Sequence, residues 1–157
     1  MDTNEVQLNI LIAHSQFITM KVHWKRMRMW CFTTVYASLA VEEREELWRE
    51  IEAFIGSVDK PWMLAGDFNE AKNLEERDHG GDEMLHRCLR LNNVIENNGL
   101  IDLGFPSPKF TWARGLSLQT RKQARLDRAL CNIEWRSRFQ EVEVNTWLTV
   151  TWITIPS

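Results

Sequence analysis

Apolar and polar side chains alternate in three stretches near the start of the chain: V-Q-L-N-I-L-I-A from Val6, Q-F-I-T-M-K-V-H-W from Gln16 and M-W-C-F-T-T-V-Y-A from Met29. Each is rich in β-branched and aromatic residues, and the two-residue period predicts three strands. From Val41 to Val58 the period changes. Leu47, Ile51, Phe54 and Val58, flanked by Trp48 and Ile55, recur at steps of three and four, and glutamates crowd the first turn, which predicts an amphipathic helix. P-W-M-L-A, from Pro61, is a short unbroken apolar run of the kind that fills a strand buried on both faces. A polar loop, G-D-F-N-E-A-K-N-L-E-E-R-D-H-G-G, follows, with Asp82 expected as the cap of the next helix. That helix spans 83–98, with Leu85, Leu89, Leu91, Val94 and Ile95 on its apolar stripe and Gly99 ending it. L-I-D-L-G-F, K-F-T-W-A-R-G and Q-A-R-L-D-R-A-L-C read as further strands, and N-I-E-W-R-S-R-F as a helical turn. The order predicts a layered α/β or α+β sandwich.

The length of 157 residues suits one domain, and 44% hydrophobic with 26% charged residues is an ordinary globular composition. A formal charge of -3 excludes a global basic field. Attraction to nucleic acid must therefore come from local clusters. Between Lys109 and Arg138 eight basic residues stand against two acidic ones, and K-V-H-W-K-R-M-R-M-W from Lys21 is a second basic run. Cys31, Cys88 and Cys131 are odd in number and widely spaced, so free buried thiols are expected. No apolar run is long enough to cross a bilayer, and the N-terminal stretch has no secretory-signal pattern. An intracellular location, nucleus or cytoplasm, and no membrane partner are expected.

The candidate chemistry lies at the end of the buried strand. Gly-Asp-x-Asn presents Asp67 and Asn69 beyond the sheet edge, where a carboxylate can activate water and an amide can donate to a phosphoryl oxygen. On the tetrapeptide alone, a turn explains both residues more simply. Likewise Tyr36 alone is a strand aromatic, and Asp127 between Arg125 and Arg128 a surface charge mixture. The Asp78, His79, Asp82 and Glu83 loop reads as a turn ahead of a helix rather than a metal site, and His14, His23 and His86 as structural.

T-T-V-Y-A-S (Thr33–Ser38), G-D-F-N (Gly66–Asn69), F-T-W-A-R-G (Phe110–Gly115) and R-L-D-R-A-L (Arg125–Leu130) occur in that order. In this arrangement the chain resembles the endonuclease/exonuclease/phosphatase superfamily. From about Ser15 to Val144 it is most similar to the endonuclease domain of plant LINE-type non-LTR retrotransposons, a domain associated with reverse transcriptase. The resemblance implies an α+β fold: a partial four-layer, two-sheet β-sandwich flanked by helices, deoxyribonuclease-I-like, over 1–145, with a divergent tail at 146–157. It implies a Mg²⁺-dependent phosphodiesterase site in which Asp67 is the base, Asn69 binds phosphate, Tyr36 stands near the scissile phosphate and Asp127 orients a histidine. Trp112 falls at a position expected to be structural.

The family pattern also includes a strand-borne metal glutamate and a final Ser-Asp-His. M-D-T-N-E-V-Q-L-N at the start supplies no such glutamate, and no histidine or acidic residue follows Glu143. The expectation is therefore a relic truncated at both ends, without nuclease activity and with no metal ligands of its own. On the same reasoning, strand 61–65 should lack a neighbour, part of the core should be uncovered, and the uncharged tail should be prone to aggregate. The alternative is a non-enzymatic module that binds DNA or RNA weakly and non-specifically through Arg114, Arg121, Lys122, Arg125 and Arg128.

Overall fold

A computed structural model describes residues 6–24, 29–104, 109–147 and 150–154. Part of the Lys21 to Trp30 basic run (25–28), the end of the L-I-D-L-G-F strand and the Pro-Ser-Pro turn (105–108) lie outside the described residues. The element order is β1 (Val6–Ala13), β2 (Phe17–Trp24), β3 (Trp30–Tyr36), α1 (Val41–Ser57), β4 (Trp62–Asp67), α2 (Leu85–Asn97), β5 (Ile101–Asp102), β6 (Trp112–Arg114), β7 (Lys122–Ala124), β8 (Asp127–Cys131), α3 (Ile133–Arg138), β9 (Glu143–Trp147) and β10 (Val150–Thr154).

Six strands form one sheet in the order β1-β2-β3-β4-β8-β5. All pairs are antiparallel except β3 with β4. The expectation of an unpaired strand at 61–65 is overturned: β4 lies inside the sheet, hydrogen-bonded to β3 on one side and β8 on the other. Its continuous apolar run is satisfied by partners from this chain because β8, sixty residues downstream, returns to it antiparallel. The exposed edge lies instead at β1, where Val6, Leu8 and Ile10 each keep more than half of their surface in solvent.

Both faces of the sheet are covered around β4. On one face, Leu47, Trp48 and Ile51 of α1 and Leu91, Val94 and Ile95 of α2 pack with Trp62, Leu64 and Leu130. On the other, Trp135 and Phe139 join Val142 and Val144 against Met63, Ala65, Ala129 and Cys131. The expected gap in the core is therefore not found around β4. The three cysteines are buried and free. β9 and β10 pair with each other as a hairpin that runs across residue 145.

Two local expectations change. Asp82 does not cap α2: residues 82–84 form a 3₁₀ turn that leads into the helix, and Met84 occupies the capping position. The Q-A-R-L-D-R-A-L-C run splits into β7 and β8, because its first half pairs with β6 and its second with β4 and β5. Gly99, at φ 62°, ends α2 in the left-handed conformation expected of it.

Gly66 sets how closely β3 and β4 approach. Its φ is +146°, and a Cβ built there would stand 2.0 Å from the Val35 carbonyl oxygen. The obstacle is backbone that cannot rotate away. Gly66→Ala is therefore expected to cost about 3 kcal/mol or more, read as a lower midpoint in chemical denaturation; a midpoint equal to that of the wild type would contradict this account of the register.

Candidate active site

Three strand ends meet at one edge of the sheet. β3 and β4 run parallel with Tyr36 opposite Asp67, and β8 enters antiparallel with Asp127 opposite Asp67. By the two-residue period, Tyr36, Asp67 and Asp127 share the face that carries Met63, Ala65 and Ala129. Register alone thus brings together three residues separated by up to 91 positions in sequence.

Phe68 separates the two polar residues of Gly-Asp-Phe-Asn. It is fully buried on the helix side, where its ring stacks on Trp48 with centroids 6.1 Å apart and planes 5° from parallel. Anchoring Phe68 holds the loop that carries its neighbours. Asn69 turns back at φ 47°, a left-handed conformation that asparagine tolerates, and its N–H donates to Asp67 Oδ1 at 2.8 Å. The Asn69 amide donates to the Ala37 carbonyl, which engages one of its two hydrogens. Ala37 N–H donates to the Asp67 carbonyl at 2.8 Å, and Phe68 N–H to the Leu126 carbonyl at 2.9 Å. The exits of β3 and β4 and the entry to β8 are therefore one hydrogen-bonded unit.

Two residues to which the motif readings give no role complete it. Thr111 Oγ1 accepts from both Leu126 N–H and Asp127 N–H at 3.0 Å. Gln16 accepts from Tyr36 N–H through its backbone carbonyl and from Ser38 N–H through its side chain, both at 2.8 Å. Tyr36 itself is 73% exposed, with its ring open to solvent.

Burial holds the Asp67 carboxyl above the ordinary aspartate range, with the Asn69 N–H pulling against it. Asp127 is raised as well, first by burial, against the Thr111 hydroxyl, and then by the charge of Asp67. Two neighbouring carboxyls that resist ionisation suit proton transfer. Asp67 and Asp127 are the two carboxyls at this edge, a number that serves Mg²⁺ only together with substrate phosphate and water. Among the described residues no group of three His, Cys, Asp or Glu side chains converges that could hold one.

The basic residues divide. Arg114, Arg121 and Lys122 are exposed on the β6–β7 hairpin. Arg128 is 0% exposed and clamped between Glu76 and Asp102, with Nη1 2.7 Å from Asp102 Oδ2. Arg125 joins the same pair of carboxylates at 3.2 and 2.9 Å. Arg128 therefore does not face a phosphate, and the exposed strip narrows by its loss. Flanking by arginines makes Asp127 resemble a surface mixture in sequence, but Glu76 and Asp102, distant in the chain, draw both arginines inward.

The Asp of E-R-D-H-G-G-D-E nearest the hairpin, Asp78, binds Gln123 N–H and its own neighbour His79. His14 stacks on Phe17, with centroids 4.8 Å apart. No helix among the described residues is long and apolar enough to cross a membrane.

No family model and no curated protein matches the chain. Solved structures do. The endonuclease domain of TRAS1, a telomere-specific non-LTR retrotransposon, superposes with a TM-score of 0.70 at 14% identity, over 94% of this chain and 68% of that domain. A beta toxin from Staphylococcus aureus superposes with a TM-score of 0.52 at 16% identity, over 88% of this chain and 53% of its own. The chain thus spans about two thirds and about half of these two proteins. The likeness is one of fold: an α+β, deoxyribonuclease-I-like architecture.

Because the folded-state pKa of Asp67 is raised, its contribution to stability is full below the ordinary aspartate range and is lost as pH rises through the folded-state value. At neutral pH the ionised carboxylate costs stability. Asp67→Asn keeps an oxygen for the Asn69 N–H, and it is expected to raise the thermal midpoint at neutral pH and to leave it nearly unchanged in acid. Melting curves across pH check this; a variant that melts lower at neutral pH would show that the carboxylate is stabilised in a way burial does not account for.

Proposed function

We propose that the chain carries half of a phosphodiesterase centre of the type found in the endonuclease domains of plant LINE-type retrotransposons, and that alone it does not cleave DNA. The observation that carries the reading is the register that places Tyr36, Asp67 and Asp127 on one face at one sheet edge, with Asn69 tied to the same unit. In this reading Asp67 takes a proton from water, Asn69 uses its second amide hydrogen on a phosphoryl oxygen, and the exposed Tyr36 phenol lies against the substrate phosphate. Asp127 orients a histidine by fixing its tautomer. Mg²⁺, where this type of site holds it, neutralises charge on the phosphate.

The order of motifs in the sequence and the fold likeness to the TRAS1 domain support this reading. The reading leaves a metal carboxylate and a histidine still to be supplied, and the chain spans 68% of the TRAS1 domain. Removing one electrostatic stabiliser typically costs a hundred- to a thousandfold in rate, and two are lacking from this set. Conversion of supercoiled plasmid to open circle in Mg²⁺ or Mn²⁺ is expected at background for both the wild type and Asp67→Asn. Nicking by the wild type that disappears in Asp67→Asn would overturn the inactive half of the reading and establish the catalytic half.

A second reading, nucleic-acid binding without cleavage, is favoured by the β6–β7 hairpin. Arg114 and Lys122 stand directly opposite each other in register, with Arg121 adjacent and all three exposed. Like charges facing across two strands are unfavourable without a counter-charge, and a phosphate backbone supplies one. Binding of a fluorescent duplex is expected to be weak, independent of sequence and steeply weakened by salt, and to fall further when Arg114, Arg121 and Lys122 are all replaced by Gln. Binding that salt and the triple replacement leave untouched would remove the hairpin from the reading.

A further inference from the structure

Among the described residues are two buried clusters of arginine and carboxylate, and their charges are balanced differently. In one, Arg125 and Arg128 meet Glu76 and Asp102, two cations against two anions. In the other, three guanidinium groups converge on one carboxylate. Glu70, 3% exposed, receives Arg44 Nη2 at 3.0 Å, Arg87 Nε at 3.0 Å and Arg77 Nη1 at 3.3 Å. Arg44 is as deeply buried as Glu70 and also donates to the Ser38 and Leu39 carbonyls at 2.8 and 2.9 Å. Burial, with the charges of Arg87 and Arg77 adding to it, holds Arg44 below its usual value against the pull of Glu70.

This second cluster borders a cleft of about 230 Å³ between α1 and α2, lined by Arg44, Glu45, Glu70, His86, Arg87 and Arg90 among others. Arg90, on the rim, is neutralised by the more exposed Glu45 and Glu52 at 3.0 and 3.3 Å. The positive excess therefore remains at the inner end, around Glu70. Charge taken out of water without a counter-charge is costly, and guanidinium groups match tetrahedral oxyanions through paired N–H donors. At roughly 30 Å³ per water, the cleft has room for a phosphate group with several waters.

We propose that this cleft is an anion site for a phosphate group, bound by Arg87 and Arg44 on the helix-covered side of the sheet. It lies on the opposite face from Tyr36, Asp67 and Asp127 and does not depend on the function proposed for them. Free phosphate and the backbone phosphate of a nucleic acid offer the same chemistry.

The test is thermal unfolding of the whole chain during titration with inorganic phosphate at fixed ionic strength, with chloride as the replaced anion. A midpoint that rises and saturates is expected in the wild type, in Asp67→Asn and in Arg114→Gln. Arg87 is only part-buried, and Arg87→Gln is expected to weaken the response by roughly tenfold or more, as befits loss of a charge-assisted pair. A second arm uses a short oligonucleotide. Binding that inorganic phosphate displaces and Arg87→Gln weakens assigns the site to nucleic-acid phosphate; an oligonucleotide indifferent to both assigns it to free phosphate. Equal midpoints in phosphate and chloride, or a full response in Arg87→Gln, overturn the proposal. If Arg87→Gln does not fold, the ³¹P linewidth of phosphate decides. Broadening by the wild type that Arg87→Lys reduces supports the site, and an unbroadened line overturns it.

Discussion

Parallel pairing makes two strands leave a sheet at the same edge, and among the described residues it is confined to β3 and β4. Everything at the candidate centre depends on that pair. Had β4 run antiparallel to β3, Tyr36 and Asp67 would stand at opposite ends of the sheet. The helix α1 is the crossover that parallel pairing requires, and its burial of Leu47, Trp48 and Ile51 against the sheet makes the crossover stable as well as long enough. β8 then returns antiparallel, so that its first residue, not its last, meets Asp67. The close approach of the β3 backbone at Gly66 keeps this register in place, and the side-chain chemistry is a consequence of it.

The loops at that edge are held by polar contacts more than by packing. Arg44 ties the β3–α1 connection, through the Ser38 and Leu39 carbonyls, to Glu70 in the loop after β4. Glu76 and Asp102 do the same for Arg125, between β7 and β8, and for Arg128 of β8. Buried ion pairs of this kind contribute less to net stability than their Coulomb energy suggests, since both partners are desolvated. Their effect is geometric: each pair permits one arrangement of two loops and penalises the others.

How much of this could be read in the sequence depended on whether the signal was local. The strands β1 to β3 and the helices α1 and α2 follow from side-chain period, which reports the face that each residue buries. The motif order pointed to Tyr36, Asp67, Asn69 and Asp127, and the register brings Tyr36, Asp67 and Asp127 side by side. The position of β4 was misjudged because the sequence does not say that β8 comes back to it. The break at Arg125 and Leu126 was invisible for a similar reason: the apolar pattern continues while the pairing partner changes. Glu70, Arg44 and Thr111 carry no local signal, because a charge in a polar loop or on a helix, or a hydroxyl in a strand-like run, resembles a solvated one. Arg128 looked exposed until Glu76 and Asp102, fifty-two and twenty-six residues away, were seen to enclose it.

The sharing of Glu70 by three arginines has an evolutionary consequence. Arg44, Arg77 and Arg87 come from three different elements, yet each is worth what it is only while the carboxylate and the other two are present. Substitutions among residues that share a partner are not additive, so these four positions cannot drift one at a time with independent effects. Loss of Glu70 would turn three attractive contacts into mutual repulsion at once, whereas loss of one arginine would leave the remaining two with the carboxylate and free of repulsion from the third. The cluster is therefore a point of epistasis: it tolerates thinning of its cations in some orders and not in others, and the order in which changes arise decides which later ones the fold can accept.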